Sequence, residues 1–173
     1  MINDSIKPIV EFCDNDAEVI WGHGTVMKGD LLKLALEGRF DVIVHQCNCF
    51  HNFGAGIALQ ILKKFPMAFE QDKKTAYGSR EKLGSISFCT VPLGRGFIIA
   101  NGYSQFACGV GQVQTDYKAV RNVFKCVKKE FSGMRIGYPL YGAGLAGGDW
   151  NVISKIINEE LRGETHTLVE YQK

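Results

Sequence analysis

A chain of 173 residues, 46% hydrophobic and 22% charged, suffices for one folded domain. A domain of about this size buries roughly 70% of its unfolded surface, which removes the need for disulfides. The net charge of +2, with acids scattered among the bases, excludes a strong electrostatic footprint for nucleic acid. No basic-flanked apolar leader and no run of about 18 apolar residues is present, so the expectation is a cytoplasmic protein with no membrane partner.

Residues 1–17 are polar and acidic without a period and read as an N-terminal arm; residues 18–173 read as a single domain. Val19–Trp21 and Thr25–Lys28 have the character of short strands. Asp30 then precedes the helical run Leu31–Leu36, with Gly38 as its stop. Asp41-Val42-Ile43-Val44-His45 is a β-branched run suited to a strand buried on both faces, and it leads into a loop ending Gly54-Ala55-Gly56. A helix follows from Ile57 to Phe65, and a second runs after Pro66 toward Gly78. Ser85–Val91 and Gly96–Asn101 pair as strands about the turn Pro92-Leu93-Gly94-Arg95.

After the loop Phe106–Gln114, Thr115 is the expected N-cap of a long helix whose apolar residues recur at Ala119, Val120, Val123, Phe124, Val127 and Phe131. Met134–Leu140 reads as a buried strand ending in Tyr141-Gly142-Ala143-Gly144-Leu145. A helix with Val152, Ile153, Ile156, Ile157 and Leu161 and a last strand, Thr165–Tyr171, close the chain. Asp149 stands where it would cap that helix, with a reach back toward the loop as the alternative. Strands alternating with helices imply an α/β fold: three layers, α/β/α, around a mixed, mainly parallel sheet. Such sheets place ligands beyond the carboxyl ends of their strands.

Both glycine loops follow buried strands. Glycine lets backbone approach a ligand, and a helix N-terminus behind it offers unpaired N–H groups and the positive end of a dipole. One such loop alone also fits a turn that binds nothing. Two together suit the two phosphates of a diphosphate. A P-loop is excluded because neither loop ends in Gly-Lys-Ser/Thr, and the match of Gly142-x-Gly144-x-x-Gly147 to a dinucleotide fingerprint lacks the chain needed to complete that sheet. Cys47-Asn48-Cys49 is too tight for a zinc pair and the other cysteines are single, so buried free thiols are expected, with no metal and no cofactor.

Val44-His45-Gln46-Cys47-Asn48 leading to Gly54-Ala55-Gly56-Ile57-Ala58, with Gly142-Ala143-Gly144-Leu145 near the end, resembles the macrodomain family. The resemblance runs from Lys28-Gly29-Asp30 to the final strand. It is nearest the subgroup of ADP-ribose 1″-phosphate phosphatases and terminal ADP-ribose–glutamate hydrolases, in which a histidine stands at the His45 position. It implies a domain that binds ADP-ribose and hydrolyses ADP-ribose 1″-phosphate to ADP-ribose and phosphate. Alternatives are a reader without turnover and a hydrolase that frees ADP-ribose from modified macromolecules.

By that resemblance Asp30 would accept from the adenine amino group, a role compatible with capping the helix at Leu31. Asn48 would meet the distal ribose. Gly54, Ala55, Gly56 and Ile57 would hold one phosphate, and Gly142, Ala143, Gly144 and Leu145 would close over the diphosphate. Tyr171 would border the adenine and Tyr141 the distal sugar. His45 would be the general acid or base, with Gln46, Asn101, Tyr103 and Gln105 converging beside it if the two strands are neighbours. Departures from the subgroup are Ala146, where the glutamate hydrolases carry an aspartate, and the missing lysine near Asn101; both speak against that chemistry.

Overall fold

The computed structural model describes residues 17–20, 24–109 and 111–173. Residues 1–16 of the expected arm 1–17, Cys13 among them, and Trp21 and His23 lie outside the described residues. The elements are β1 (Ala17–Ile20), β2 (Gly24–Gly29), α1 (Leu31–Leu36), β3 (Val42–Cys47), α2 (Gly56–Lys64), α3 (Met67–Lys73), β4 (Ile86–Val91), β5 (Phe97–Tyr103), α4 (Tyr117–Phe131), β6 (Ile136–Tyr138), α5 (Trp150–Glu160) and β7 (His166–Tyr171).

They form one seven-stranded sheet in the order β1-β2-β7-β6-β3-β5-β4. β2, β7, β6, β3 and β5 run parallel, and β1 and β4 pair antiparallel at the two edges. The mixed, mainly parallel α/β sheet read from the pattern is therefore the sheet observed.

Side chains of a strand alternate between faces, and each face here has its own core. Val42 and Val44 of β3 pack with Val120, Val123, Phe124 and Ile153 of α4 and α5. Ile43 and Cys47 point the other way, toward Leu31, Leu32, Ile61 and Ala68 of α1, α2 and α3. Covering both faces is what allows β3 to be apolar at successive positions rather than alternating.

Local chemistry sets the ends of the elements. Asp30, Asp116 and Asp149 each accept bonds from first-turn amides of α1, α4 and α5. The cap of α4 is thus Asp116 and not Thr115, whose hydroxyl is used elsewhere. β6 is shorter than Met134–Leu140 because Pro139 has no N–H with which to extend the ladder. α3 stops at Lys73 instead of running to Gly78, because the Asp72 carbonyl accepts from the Thr75 hydroxyl at 2.6 Å and Gly78, at φ +66°, turns its amide onto the Cys49 carbonyl.

Cys47, Cys49 and Cys89 are buried free thiols, Cys126 is half-buried, and Cys108 is exposed, against the expectation that all would be interior. No helix of the described residues is long and apolar enough to cross a membrane. Ile157 is fully buried between α4, α5 and the sheet, so Ile157→Ala should lower the unfolding free energy by roughly 2–5 kcal/mol. Urea denaturation should show this as a lower midpoint with unchanged slope.

Candidate functional site

Because five strands are parallel, their carboxyl ends lie along one edge. Across the sheet these ends are Gly29, Tyr171, Tyr138, Cys47 and Tyr103. The four spacings between β2 and β5 span roughly 19 Å, long enough for an extended dinucleotide-sized ligand. Both glycine loops leave from this edge, one after β3 and one after β6.

The first loop is folded by its own polar side chains. Asn48 Oδ1 accepts from the Phe50 amide at 2.9 Å and Asn48 Nδ2 donates to the Asn52 carbonyl at 2.8 Å, so both ends of the amide are engaged in the loop. His51 holds φ +50°, a left-handed conformation unusual for a residue other than glycine, with its ring nitrogen on the Thr75 carbonyl at 3.0 Å. The loop enters α2 through Ala55 in extended backbone, with no side-chain cap. The first-turn amides at Gly56, Ile57 and Ala58 therefore have no intrahelical acceptor. Gly56 sits at φ +57°, where any side chain would be strained.

The second loop is pinned at its base and open at its tip. The Gly142 carbonyl accepts from Thr115 Oγ1 at 2.6 Å and from the Gly148 amide at 2.8 Å, while the Ala143 amide bonds to Leu140. Gly142 and Gly147 hold φ +69° and +70°. Among the described residues the Gly144 and Leu145 amides have no partner, and Leu145 is 72% exposed. A Cβ placed on Gly56 would lie 3.9 Å from Leu145 Cδ1, so the two loops face each other across one crevice.

At the β2 end of the crevice, Gly29 pairs with Tyr171 and the Gln172 amide donates to the Gly29 carbonyl. Asp30 and Tyr171 are thereby neighbours. Asp30 Oδ1 takes the Leu32 and Lys33 amides at 2.9 and 3.2 Å, which leaves Oδ2 without a partner among the described residues, and Tyr171 is 72% exposed.

No protein-family model matches the sequence. The chain is 36% identical over 143 residues to an uncharacterised 17.5 kDa protein from the tk–vs intergenic region of Enterobacteria phage T4, a match covering 76% of this chain and 86% of the phage protein. The chain belongs to the family of that phage protein. Among solved structures it is similar to the macrodomain of Thermus aquaticus DarG, with TM-score 0.67 and 23% identity over 86% of this chain and 97% of that one. It is also similar to Thermosipho africanus DarTG in complex with ADP-ribose, with TM-score 0.66 and 14% identity over 91% of this chain and 44% of that one. The fold is the macrodomain fold.

Within this macrodomain fold the polar residues expected to converge near Asn48 divide between the two faces of the sheet. Gln46 lies on the α4 face, where its Nε2 donates to Ser104 Oγ at 3.1 Å and Thr115 Oγ1 at 3.2 Å. Ser104 Oγ in turn meets the Tyr141 hydroxyl at 2.7 Å. The buried Ser104, Thr115 and Tyr141 and the half-buried Gln46 thus form the foundation of the second loop. Ser104 and Thr115 escape a sequence reading because only the fold brings the ends of β5 and α4 under Gly142. Tyr141 is 1% exposed, bonded also to the Gly102 carbonyl and packed on Phe124, so it lies in the core and not beside a sugar.

His45, Asn101 and Tyr103 fall on the opposite face. His45 is 0% exposed, its Nε2 is 2.7 Å from Asn101 Oδ1, and its ring meets Phe53 edge to face at 5.2 Å. Asn101 Nδ2 donates to the Ala68 carbonyl and to Ser87 Oγ, and the Tyr103 hydroxyl donates to Asp72 Oδ1 at 2.7 Å. Burial lowers the pKa of His45 to about 4, with the Asn101 bond pulling weakly the other way. A general acid or base must reach the proton it moves and carry a pKa near the working pH. In this structure His45 is enclosed with its Nε2 held at Asn101, and its ring does not open onto the crevice.

The unfolded imidazole protonates near pH 6.5 and the folded one near 4, so its contribution to stability is complete above about 6.5 and is lost as the pH falls toward 4. The loss attributable to His45 should total about 3 kcal/mol over that window. The ring resonances of His45 should show no titration between pH 8 and 5.5 by NMR; a midpoint near 6.5 would contradict the enclosure.

Proposed function

We propose that this crevice binds ADP-ribose. The observation that carries the proposal is the approach of Gly56 to Leu145, which sets the uncapped amides of α2 opposite the unpartnered amides of Gly144 and Leu145. Two such nests on either side of a gap suit a diphosphate: each supplies donors without needing a lysine or arginine, in keeping with the low net charge.

The flanking groups orient the rest of the ligand. At the β2 end Asp30 Oδ2 would accept from an adenine amino group, and Tyr171 would lie against the base. At the β3 end the loop from Asn48 to Ile57 would hold the distal ribose and its nearer phosphate, with Asn48 shaping the loop through its bonds to Phe50 and Asn52.

With a phosphate on the distal ribose, the arrangement supports hydrolysis of ADP-ribose 1″-phosphate. A water oxygen bonds to phosphorus as the bond to the 1″ oxygen breaks, and that oxygen takes up a proton, leaving ADP-ribose and phosphate. In this reading His45 is a positioning residue that supports the loop through Phe53 and Asn101. A second reading, recognition of ADP-ribose without turnover, is favoured by that same enclosure of His45.

ADP-ribose at a hundredfold excess over its Kd should stabilise the protein by about 2.7 kcal/mol, read as a rise in Tm. Asp30→Asn keeps the helix cap, since asparagine caps as well as aspartate, and should weaken ADP-ribose roughly tenfold while leaving ribose 5-phosphate unaffected. Release of phosphate from ADP-ribose 1″-phosphate that is retained in a folded His45→Gln variant would support turnover with His45 as a bystander to proton transfer. Binding without release would select the reader.

A further inference from the structure

We infer that Arg80, seated on Phe106 beside Tyr77, forms a phosphate subsite at the distal end of the crevice, for a phosphate carried beyond the distal ribose. The inference rests on the ADP-ribose reading above and assigns the specificity of that same site.

The segment that carries Arg80 is held against the first loop. The Gly78 amide donates to the Cys49 carbonyl at 2.7 Å, and the Cys49 amide donates to the Phe106 carbonyl at 2.9 Å, so residues 78, 49 and 106 are joined immediately after Asn48. Ser79 Oγ accepts the Glu81 amide and starts the short helical turn Arg80–Lys82, which fixes the backbone from which Arg80 projects.

Side-chain packing completes the subsite. The Phe50 ring lies 5.0 Å from Phe106 and 5.4 Å from Tyr77, and His51 is 5.4 Å from Tyr77, all edge to face. The Arg80 guanidinium carbon lies 3.7 Å from the Phe106 centroid. A guanidinium laid on a ring is restrained in position yet keeps its N–H groups around its edge, where a phosphate takes them in pairs. Arg80 is exposed and makes no ion pair among the described residues. Of the bases nearby, Lys73 pairs with Glu70 at 2.7 Å and Lys82 is buried with its amine on Thr75 and over the Tyr103 ring, while Lys74 is exposed and makes no ion pair among the described residues.

The field of these cations reaches the loop. Burial raises the Cys49 thiol, and Lys82 and Arg80 oppose it. Tyr77, 69% exposed and fixed by Phe50 and His51, adds a hydroxyl on the same rim. A phosphate at the 1″ position would then be met by Arg80 from the rim joined to the first loop at Cys49.

The test uses inorganic phosphate titrated into protein saturated with ADP-ribose, followed by NMR at the Phe106 amide and the Arg80 side-chain N–H, with chloride at equal ionic strength as the control. Half-saturation by phosphate should rise roughly tenfold in Arg80→Gln and by less in Arg80→Lys, with the Kd for ADP-ribose within twofold of wild type in both. Failure of ADP-ribose itself to bind would overturn the crevice reading and this inference with it. Intact ADP-ribose binding, with phosphate affinity unchanged in Arg80→Gln, would overturn the subsite alone and leave Arg80 as a clamp on Phe106.

Discussion

Five parallel strands ending on one edge are the constraint from which the rest of this molecule follows. Parallel strands carry their connections over the faces of the sheet, so each carboxyl end opens into a loop at the same rim. A short ladder at β6, cut off by Pro139, releases the chain into the second glycine loop, opposite the uncapped start of α2. Backbone amides with no acceptor are costly when enclosed and are tolerated here because they border an open crevice.

The loops differ in how they are held. The first is folded from within by Asn48 around Phe50 and Asn52 and tied outward through His51 on Thr75 and Cys49 on Gly78 and Phe106. The second depends on its surroundings: Thr115 grips the Gly142 carbonyl, Gln46 supports Thr115, and Ser104 ties Tyr141 into the same base. A Cβ at Gly148 would meet the Gly142 carbonyl oxygen at 2.5 Å and Ile153 Cδ1 at 2.7 Å, so that turn closes only around a glycine. The base from which the tip amides project is thereby set by the fold, which would lower the entropy cost of the binding proposed for them.

Much of this was legible in the residues. The β-branched run Val42–Val44, the helical spacing from Ala119 to Phe131 and the aspartates at positions 30 and 149 were each read from local pattern, because local pattern is what makes them strand, helix and cap. The placement of the two glycine loops at strand ends followed from the alternation of elements. The face on which a polar strand residue lies was harder to read. His45 and Gln46 are adjacent in sequence and sit in separate networks on opposite sides of the sheet, and Tyr141 points into the core although glycine follows it. Thr115 beside Asp116 offers two equivalent caps on paper; the tertiary demand of the Gly142 carbonyl takes the threonine and leaves the aspartate for the helix.

The measurement that bears most directly on the account is an amide NMR titration with ADP-ribose, residue by residue along both loops. The amides of Gly56, Ile57 and Ala58 and those of Gly144 and Leu145 should shift together, saturating with one Kd, because a single diphosphate occupies both. Shifts confined to one loop, or two loops saturating at different concentrations, would contradict it.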